Sequence, residues 1–201
     1  MDRKPHQERA LVILKPDAVQ RSLMGEIIGR FERVGLKFVA CKFIIPTEEQ
    51  LIEHYNKDDS WCIEKGERTI KDLKESGIPV EKDALEYGRD IVRSVIKVMQ
   101  ESPVMAMVVE GNQATTIARK LAGATEPRTS DVGTIRGDFT IDSYGHAMYE
   151  NRSIRNLVHC SDEPAEAERE IKVWFKDEEI INYVTAQERI MYDVNLDGKT
   201  D

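Results

Sequence analysis

The chain has 201 residues, 40% hydrophobic and 33% charged, with a formal net charge of −8. That length suits one domain with a substantial core, or one domain carrying an insertion. The acidic balance argues against sequence-independent nucleic-acid binding, which needs cations to displace counterions. It leaves room for an anionic small substrate met by a few local cations.

Residues 10–14, "ALVIL", read as a buried strand stopped by Pro16, which leaves Lys15 at its C-terminal edge. "GEIIGRFERVG" carries Ile27, Ile28, Phe31 and Val34 at helical spacing, with Gly35 as its stop. "LKFVACKFIIP" follows as a strand closed by Pro46, and Thr47 with Gln50 makes a capping-box pattern opening a short helix through Tyr55. Residues 56–88 change character. They are charge-rich, broken by Gly and Pro, and poor in large apolar side chains, so they read as an inserted helical subregion over the surface. "RDIVRSVIKVM" is an amphipathic helix, "PVMAMVVEG" a strand and "NQATTIARKLAG" a helix. "ATEPRTSDVGTIRGDF" is polar and irregular, and loops of that length usually carry function. "IDSYGHAMYENRS" has no settled shape, "NLVHC" is a short strand, and "DEPAEAEREIKVWF" is a helix with Pro164 and acids in its first turn. Strand and helix alternate, which defines an α/β chain: a small open sheet covered by helices on one face.

No apolar run approaches the roughly 20 residues of a membrane span, and "MDRKPHQERA" lacks the apolar core of a secretory signal. Cys41, Cys62 and Cys160 lie far apart with no C-x-x-C pair, so neither a disulfide framework nor a structural zinc site is expected. A reducing cytoplasm is the simplest compartment.

Phosphate-loop signatures fail. "LDGKT" contains G-K-T, but Asp193 stands where a P-loop needs glycine, and no G-x-G-x-x-G occurs. Asp193, Asn195, Asp197 and Gly198 match the first half of a calcium loop whose twelfth ligand would lie past residue 201; a flexible tail over 193–201 is the expectation. His6, His54, His146 and His159 show no metal-ligand spacing, so no metal-binding residue is assigned. In "SIRNLVHCSD", His159 reads either as a packed core residue or as a group that does chemistry. Lys15, Arg119, Thr125 and Arg136 each read alone as solvated surface. Together they suit a polyphosphate, and phosphoryl transfer asks mainly for positioning and charge stabilisation. An imidazole of pKa about 6.5 is roughly three quarters neutral at pH 7, so it serves as a nucleophile where a serine needs a base.

"LVILKPDAVQRSLMGEIIGRFERVGLK", "GTIRGDF", "NLVHCSD" and "REIKVWFKDEEI" resemble the nucleoside diphosphate kinases. The likeness runs from about Glu8 to Met191, interrupted by residues 56–88 and by extra residues around 143–152. It implies a ferredoxin-like βαββαβ core, an antiparallel sheet covered by helices with a helical insertion, in a single domain over 1–201. It implies that His159 takes the γ-phosphoryl group of ATP and passes it to a nucleoside diphosphate in the same cleft. Lys15 then contacts phosphate and sugar hydroxyl. Arg119, Thr125 and Arg136 bind phosphates, Asn156 holds the ribose 3′-hydroxyl, and Tyr55 stands beside the phosphates. Ser161 and Glu170 orient the histidine. Trp61 is the candidate for stacking the base, although its spacing from Tyr55 departs from the common form; stacking implies broad base tolerance. Mg2+ is implied as a bridge between phosphate oxygens, held by the nucleotide rather than by a protein cage. Cys160 stands where the family usually has Gly or Ala, which implies bulk and oxidation sensitivity beside the nucleophile. The insertion lies next to the nucleotide entrance, as a lid or a subunit contact. The "TEPRTSDVGT" loop matches one around a threefold axis, implying a homohexamer, with a tetramer second. The competing reading is a nucleotide-sensing interaction protein with the same pocket and little turnover.

Overall fold

The computed structural model describes residues 7–198; His6 and the last residues of the expected tail, 199–201, lie outside the described residues. Strand β1 (Gln7–Leu14) sets the plan. Ala10, Val12 and Leu14 point to one core, Leu11 and Ile13 to another, and all five are fully buried. A strand apolar at both parities needs cover on both sides. Strand β3 (Val104–Asn112) pairs with it antiparallel from Gln7↔Asn112 to Leu14↔Met105. Strand β4 (Val158–Cys160) pairs on its other side, and β2 (Lys37–Ile44) pairs with β3, with a register shift between Phe38 and Ala40. The sheet order is β2-β3-β1-β4, every pairing antiparallel. Helices follow β1 and β3, which completes the βαββαβ arrangement.

Helices lie on both faces, which corrects the one-face expectation. On the first face α2 (Met24–Arg33) buries Ile27 and Phe31, while α6 (Ala114–Ala122) approaches through Ala114, Ala118 and Ala122. On the second face α3 (Glu48–Tyr55) contributes Leu51, α5 (Ala84–Gln100) Ile96 and Met99, and α9 (Pro164–Trp174) Ile171 and Trp174. The continuous runs "ALVIL" and "VMAMVV" carried that signal, because neither alternates with polar residues.

Between β2 and β3 the charged segment folds as a helical hairpin of α4 (Asp59–Glu75) and α5. Asp58 accepts from the Trp61 amide at 2.8 Å, and Asp83 from the Glu86 amide at 2.8 Å. The helices touch backbone to backbone. A Cβ on Gly66 would lie 1.7 Å from the Ala84 carbonyl oxygen, and one on Gly88 would lie 2.0 Å from that of Cys62. Any larger residue at either position forces them apart.

The short α1 (Pro16–Gln20) starts on Pro16, directly after Lys15. Helix α7 (Ile135–Phe139) is capped by Thr134. The stretch with no settled shape contains α8 (Tyr144–Tyr149), which Ser143 caps by accepting from the His146 amide at 3.2 Å. Past α9 the chain returns to edge strand β2, where the Ile181 amide donates to Val39 at 2.8 Å and the Tyr183 hydroxyl to Phe38 at 2.9 Å. Helix α10 (Ala186–Tyr192) closes that edge with a Thr185–Glu188 capping box. In the tail, Asp193 accepts from the amides of Asn195 and Gly198 at 3.2 and 2.7 Å.

Candidate active site

His159 stands on β4 directly after an unusual turn. Leu157 has φ +65° and is fully buried, and the Val158 amide donates back to the Asn156 carbonyl at 2.7 Å, closing a γ-turn. A left-handed leucine costs about 1–3 kcal/mol and persists only where its surroundings fix it. Here they do: its amide donates to Asp17 Oδ2 at 3.0 Å, and its carbonyl accepts from the Lys15 amide at 2.8 Å. The turn therefore ties the end of β1 to the start of β4.

Asn156 shares that tie. Its Oδ1 accepts from Lys15 Nζ at 2.7 Å, and its Nδ2 donates to the Thr125 carbonyl at 2.9 Å. Burial lowers the Lys15 pKa to about 8, so the ammonium is still mostly charged at pH 7.

The half-buried His159 ring has Nε2 3.1 and 3.2 Å from the two oxygens of Glu170, on α9. Ser161 Oγ donates to Glu170 Oε2 at 2.6 Å and accepts from the Leu11 amide at 3.1 Å. Burial pushes the Glu170 carboxyl up, but the charge and hydrogen bond of His159 outweigh it, with Ser161 adding to them, and hold it at about 2. An ionised carboxylate only accepts, so Nε2 carries the hydrogen. In the neutral ring the lone pair is then on Nδ1.

One neighbour of this ring was missed from the sequence. His54, on α3, is completely buried with its ring centroid 4.7 Å from that of His159 at 82°. Trp174 Nε1 donates to His54 Nδ1 at 3.3 Å. Burial first, then the charge of His159, lowers the His54 pKa to about 3, so it stays neutral. Its position three residues after Leu51 places it on the apolar face of α3, the one local signal that it points inward. His54 Nε2 and the Tyr55 hydroxyl are buried without a hydrogen-bond partner among the described residues. His54, His159 and Glu170 also bring ligand-type atoms within 4.8 Å of one another.

Arg136, on α7, is buried and turned toward backbone. Its Nε donates to Asn156 O at 3.1 Å, Nη1 to Gly123 O at 2.8 Å and Ala124 O at 3.1 Å, and Nη2 to Val158 O at 2.6 Å. Four of its five N–H groups are thus used on carbonyls around the cleft. Arg119, half-exposed on α6, pairs with Asp162, next to Ser161. Thr125 is exposed at the rim. Trp61 lies half-buried in the first turn of α4, with Lys57 and Lys65 Nζ 5.9 and 5.8 Å from its ring centre. Lys57 also reaches Glu166 at 3.4 Å, one turn before Glu170 on α9. Trp61 therefore lies at the margin of the cluster formed by Lys15, Asn156, His159, Ser161 and Glu170.

Cys160 does not face the cleft as a reactive thiol. It is buried with Sγ 3.7 Å from the Ala118 carbonyl, and burial pushes the thiol up to about 12. Burial and the raised thiol pKa run against the oxidation sensitivity expected of Cys160.

A half-buried imidazole with its inner nitrogen committed to a buried carboxylate, on an antiparallel βαββαβ sheet, is an arrangement that suits a nucleophile or general base. The profile of the nucleoside diphosphate kinase family matches residues 8–62 and 84–180. A nucleoside diphosphate kinase of Pyrobaculum aerophilum is 48% identical over 179 residues, covering 87% of this chain and 98% of the relative. The crystal structure of an NDP kinase from P. aerophilum aligns with TM-score 0.84 and 44% identity, over 88% of this chain and 100% of that one. A transition-state mimic of the Borrelia burgdorferi enzyme with bound vanadate and ADP aligns with TM-score 0.76 and 38% identity, over 92% of this chain and 96% of that one. This chain belongs to the nucleoside diphosphate kinase family.

Proposed function

We propose that this chain moves the γ-phosphoryl group of ATP to a nucleoside diphosphate by two displacements through His159. In the first, the Nδ1 lone pair attacks the γ-phosphorus and the bond to the β,γ-bridging oxygen breaks, releasing ADP. The ring becomes a cation that keeps its Nε2 hydrogen, and Glu170 stabilises it. In the second, a terminal phosphate oxygen of the acceptor diphosphate attacks the phosphorus. The P–N bond breaks and its electron pair returns to Nδ1. A P–N bond suits this exchange because it remains reactive. The observation that carries the reading is the Nε2 bond to Glu170, which leaves Nδ1 as the free nucleophile.

Lys15, Arg119 and Thr125 are proposed to hold phosphates, Asn156 with Lys15 the ribose hydroxyl, and Trp61 the base. The unpartnered Tyr55 hydroxyl is a ready donor to a phosphate oxygen. Arg136 is proposed to act chiefly by fixing the carbonyls of the cleft and adding its charge behind them. The polyphosphate brings Mg2+ with it: the one place where described residues gather three metal-ligating groups is nitrogen-rich, unlike the oxygen shell this ion takes. No step is assigned to it. The vanadate and ADP held by the Borrelia relative support the choice of substrates.

We read the chain as one catalytic domain over 1–201 that assembles as a homohexamer, with a tetramer second. Val132, in the loop matched to a threefold axis, is 92% exposed, which supports burial against other subunits. Three free cysteines fit a reducing cytoplasm, and no helix among the described residues is long and apolar enough to cross a membrane.

Incubation with γ-labelled ATP tests the function. The expected result is protein-bound label that is acid-labile and base-stable and that chases onto GDP. Protein that binds ATP but never acquires label would overturn the kinase reading and leave the sensor.

A further inference from the structure

Helix α4 carries a stripe of which the chemistry above uses only Trp61. Trp61, Lys65 and Arg68 stand at i, i+4 and i+7, on one side of the helix and spanning about 10 Å of its length. The stripe lies about a third of a turn from that of the buried Cys62, Gly66 and Leu73, two of which meet α5 at the glycine crossing. The family profile stops at residue 62 and resumes at 84, so Lys65 and Arg68 belong to the part it leaves unmatched.

Across from this stripe stands α8. The Arg68 guanidinium lies 5.3 Å from the centre of the Tyr144 ring. The Tyr144 amide donates to Glu126 Oε1 at 3.0 Å, and Glu126 follows Thr125, whose carbonyl Asn156 holds. Burial pushes the Tyr144 hydroxyl up, and the charges of Arg68, Arg136 and Lys65 reach it and act against that rise. Tyr144 therefore joins the Arg68 cation of α4 to Glu126, the residue after Thr125. Arg68 has no carboxylate partner among the described residues, and Lys65 pairs only with its exposed chain neighbour Glu64. In a chain of net charge −8, that leaves an aromatic ring and two weakly engaged cations on one face.

We propose that Lys65 and Arg68 bind the nucleoside di- or triphosphate, so that the Trp61–Lys65–Arg68 stripe forms a second wall of the cleft, with Tyr144 facing it. An aromatic ring followed by cations one and two turns on matches a ligand with a base at one end and anionic charge along its length. The proposal rests on the kinase reading and extends the site onto the insertion.

Lys65→Ala, Arg68→Ala and the double variant test it in steady-state assays with ATP and GDP. Both positions changed in these variants are on the partly exposed side of α4, and circular dichroism checks the fold. Each single change is expected to raise the nucleotide KM about fivefold while kcat stays within about twofold. Arg68→Lys is expected to recover part of the loss, and Tyr144→Ala to mimic Arg68→Ala without adding to it. Repeating the assay with CDP and UDP locates the contact. An equal rise puts the cations on phosphates, an unequal rise puts them on the base, and both support binding. An unchanged KM in the double variant overturns the proposal. Label appearing on His159 in that same variant leaves the kinase reading standing, whereas its absence from the unmodified chain removes both.

Discussion

The β4 residues of the site and the stripe on α4 are built on opposite plans. On the β4 side the groups are buried and held by fixed partners: Arg136 on four carbonyls, Glu170 on His159 and Ser161, and the strained Leu157 by hydrogen bonds at both its amide and its carbonyl. On the α4 side Lys65 and Arg68 lie against aromatic rings and make no buried hydrogen bond among the described residues. Fixed donors placed where charge develops need no reorganisation during reaction. Partly exposed cations without fixed partners adapt to substrates that differ in base. The contrast predicts that changes on the β4 side remove chemistry or stability, while changes on the α4 side alter affinity.

The largest effect belongs to the nucleophile. His159→Ala is expected to eliminate phosphoenzyme while nucleotide binding, read by calorimetry, stays largely intact; full steady-state activity would contradict its role. Next is Glu170→Gln, which keeps the shape but neither fixes the hydrogen on Nε2 nor offsets the imidazolium. Rapid-quench measurement should show phosphorylation of His159 slowed about 100-fold. Arg136→Met leaves buried carbonyls without donors, and denaturant unfolding should show a loss of about 3 kcal/mol. An equal loss in the half-exposed Arg119→Met would erase the contrast between buried and exposed cations.

Acid should weaken the β4 side in a defined window. The unfolded chain protonates His54 near 6.5, whereas the native chain resists until about 3, so stability falls as pH drops through that range. Glu170 contributes stability above its ordinary value of 4.5, and that share is lost as pH falls toward about 2. The melting temperature should therefore decline from pH 6.5 downward, and His54→Gln should flatten the upper part of the decline. Trp61→Ala is expected to act on affinity alone, a KM increase of about tenfold or less from lost stacking, with similar kcat.

How far the residues themselves disclosed this depended on range. The strand "ALVIL" and the helix stop at Gly35 were legible because local periodicity and steric rules decide them. The second helical layer was readable in principle, since β1 is apolar at both parities, but the helices that form it, α3, α5 and α9, are scattered along the chain and a one-face sheet was expected. Helix α8 depended on one serine cap within a polar stretch. His159, Glu170 and Ser161 were assigned through family resemblance, and their contact joins two elements through hydrogen bonds that no periodicity encodes. The inward turn of Arg136 and the ring contact of His54 were not legible, because carbonyl clamps and edge-to-face rings leave no sequence pattern. Cys160 misled for a related reason: its neighbour His159 is the proposed nucleophile, but alternate residues of a strand face opposite sides.

The most direct test of the central claim is where the phosphate sits on the ring. Phosphorylated protein, labelled with 15N in histidine and kept at alkaline pH, should show 31P–15N coupling to Nδ1 of His159, with Nε2 still carrying hydrogen. Phosphate on Nε2, or on any residue other than His159, would contradict the assignment of Glu170 as the group that frees Nδ1 to react.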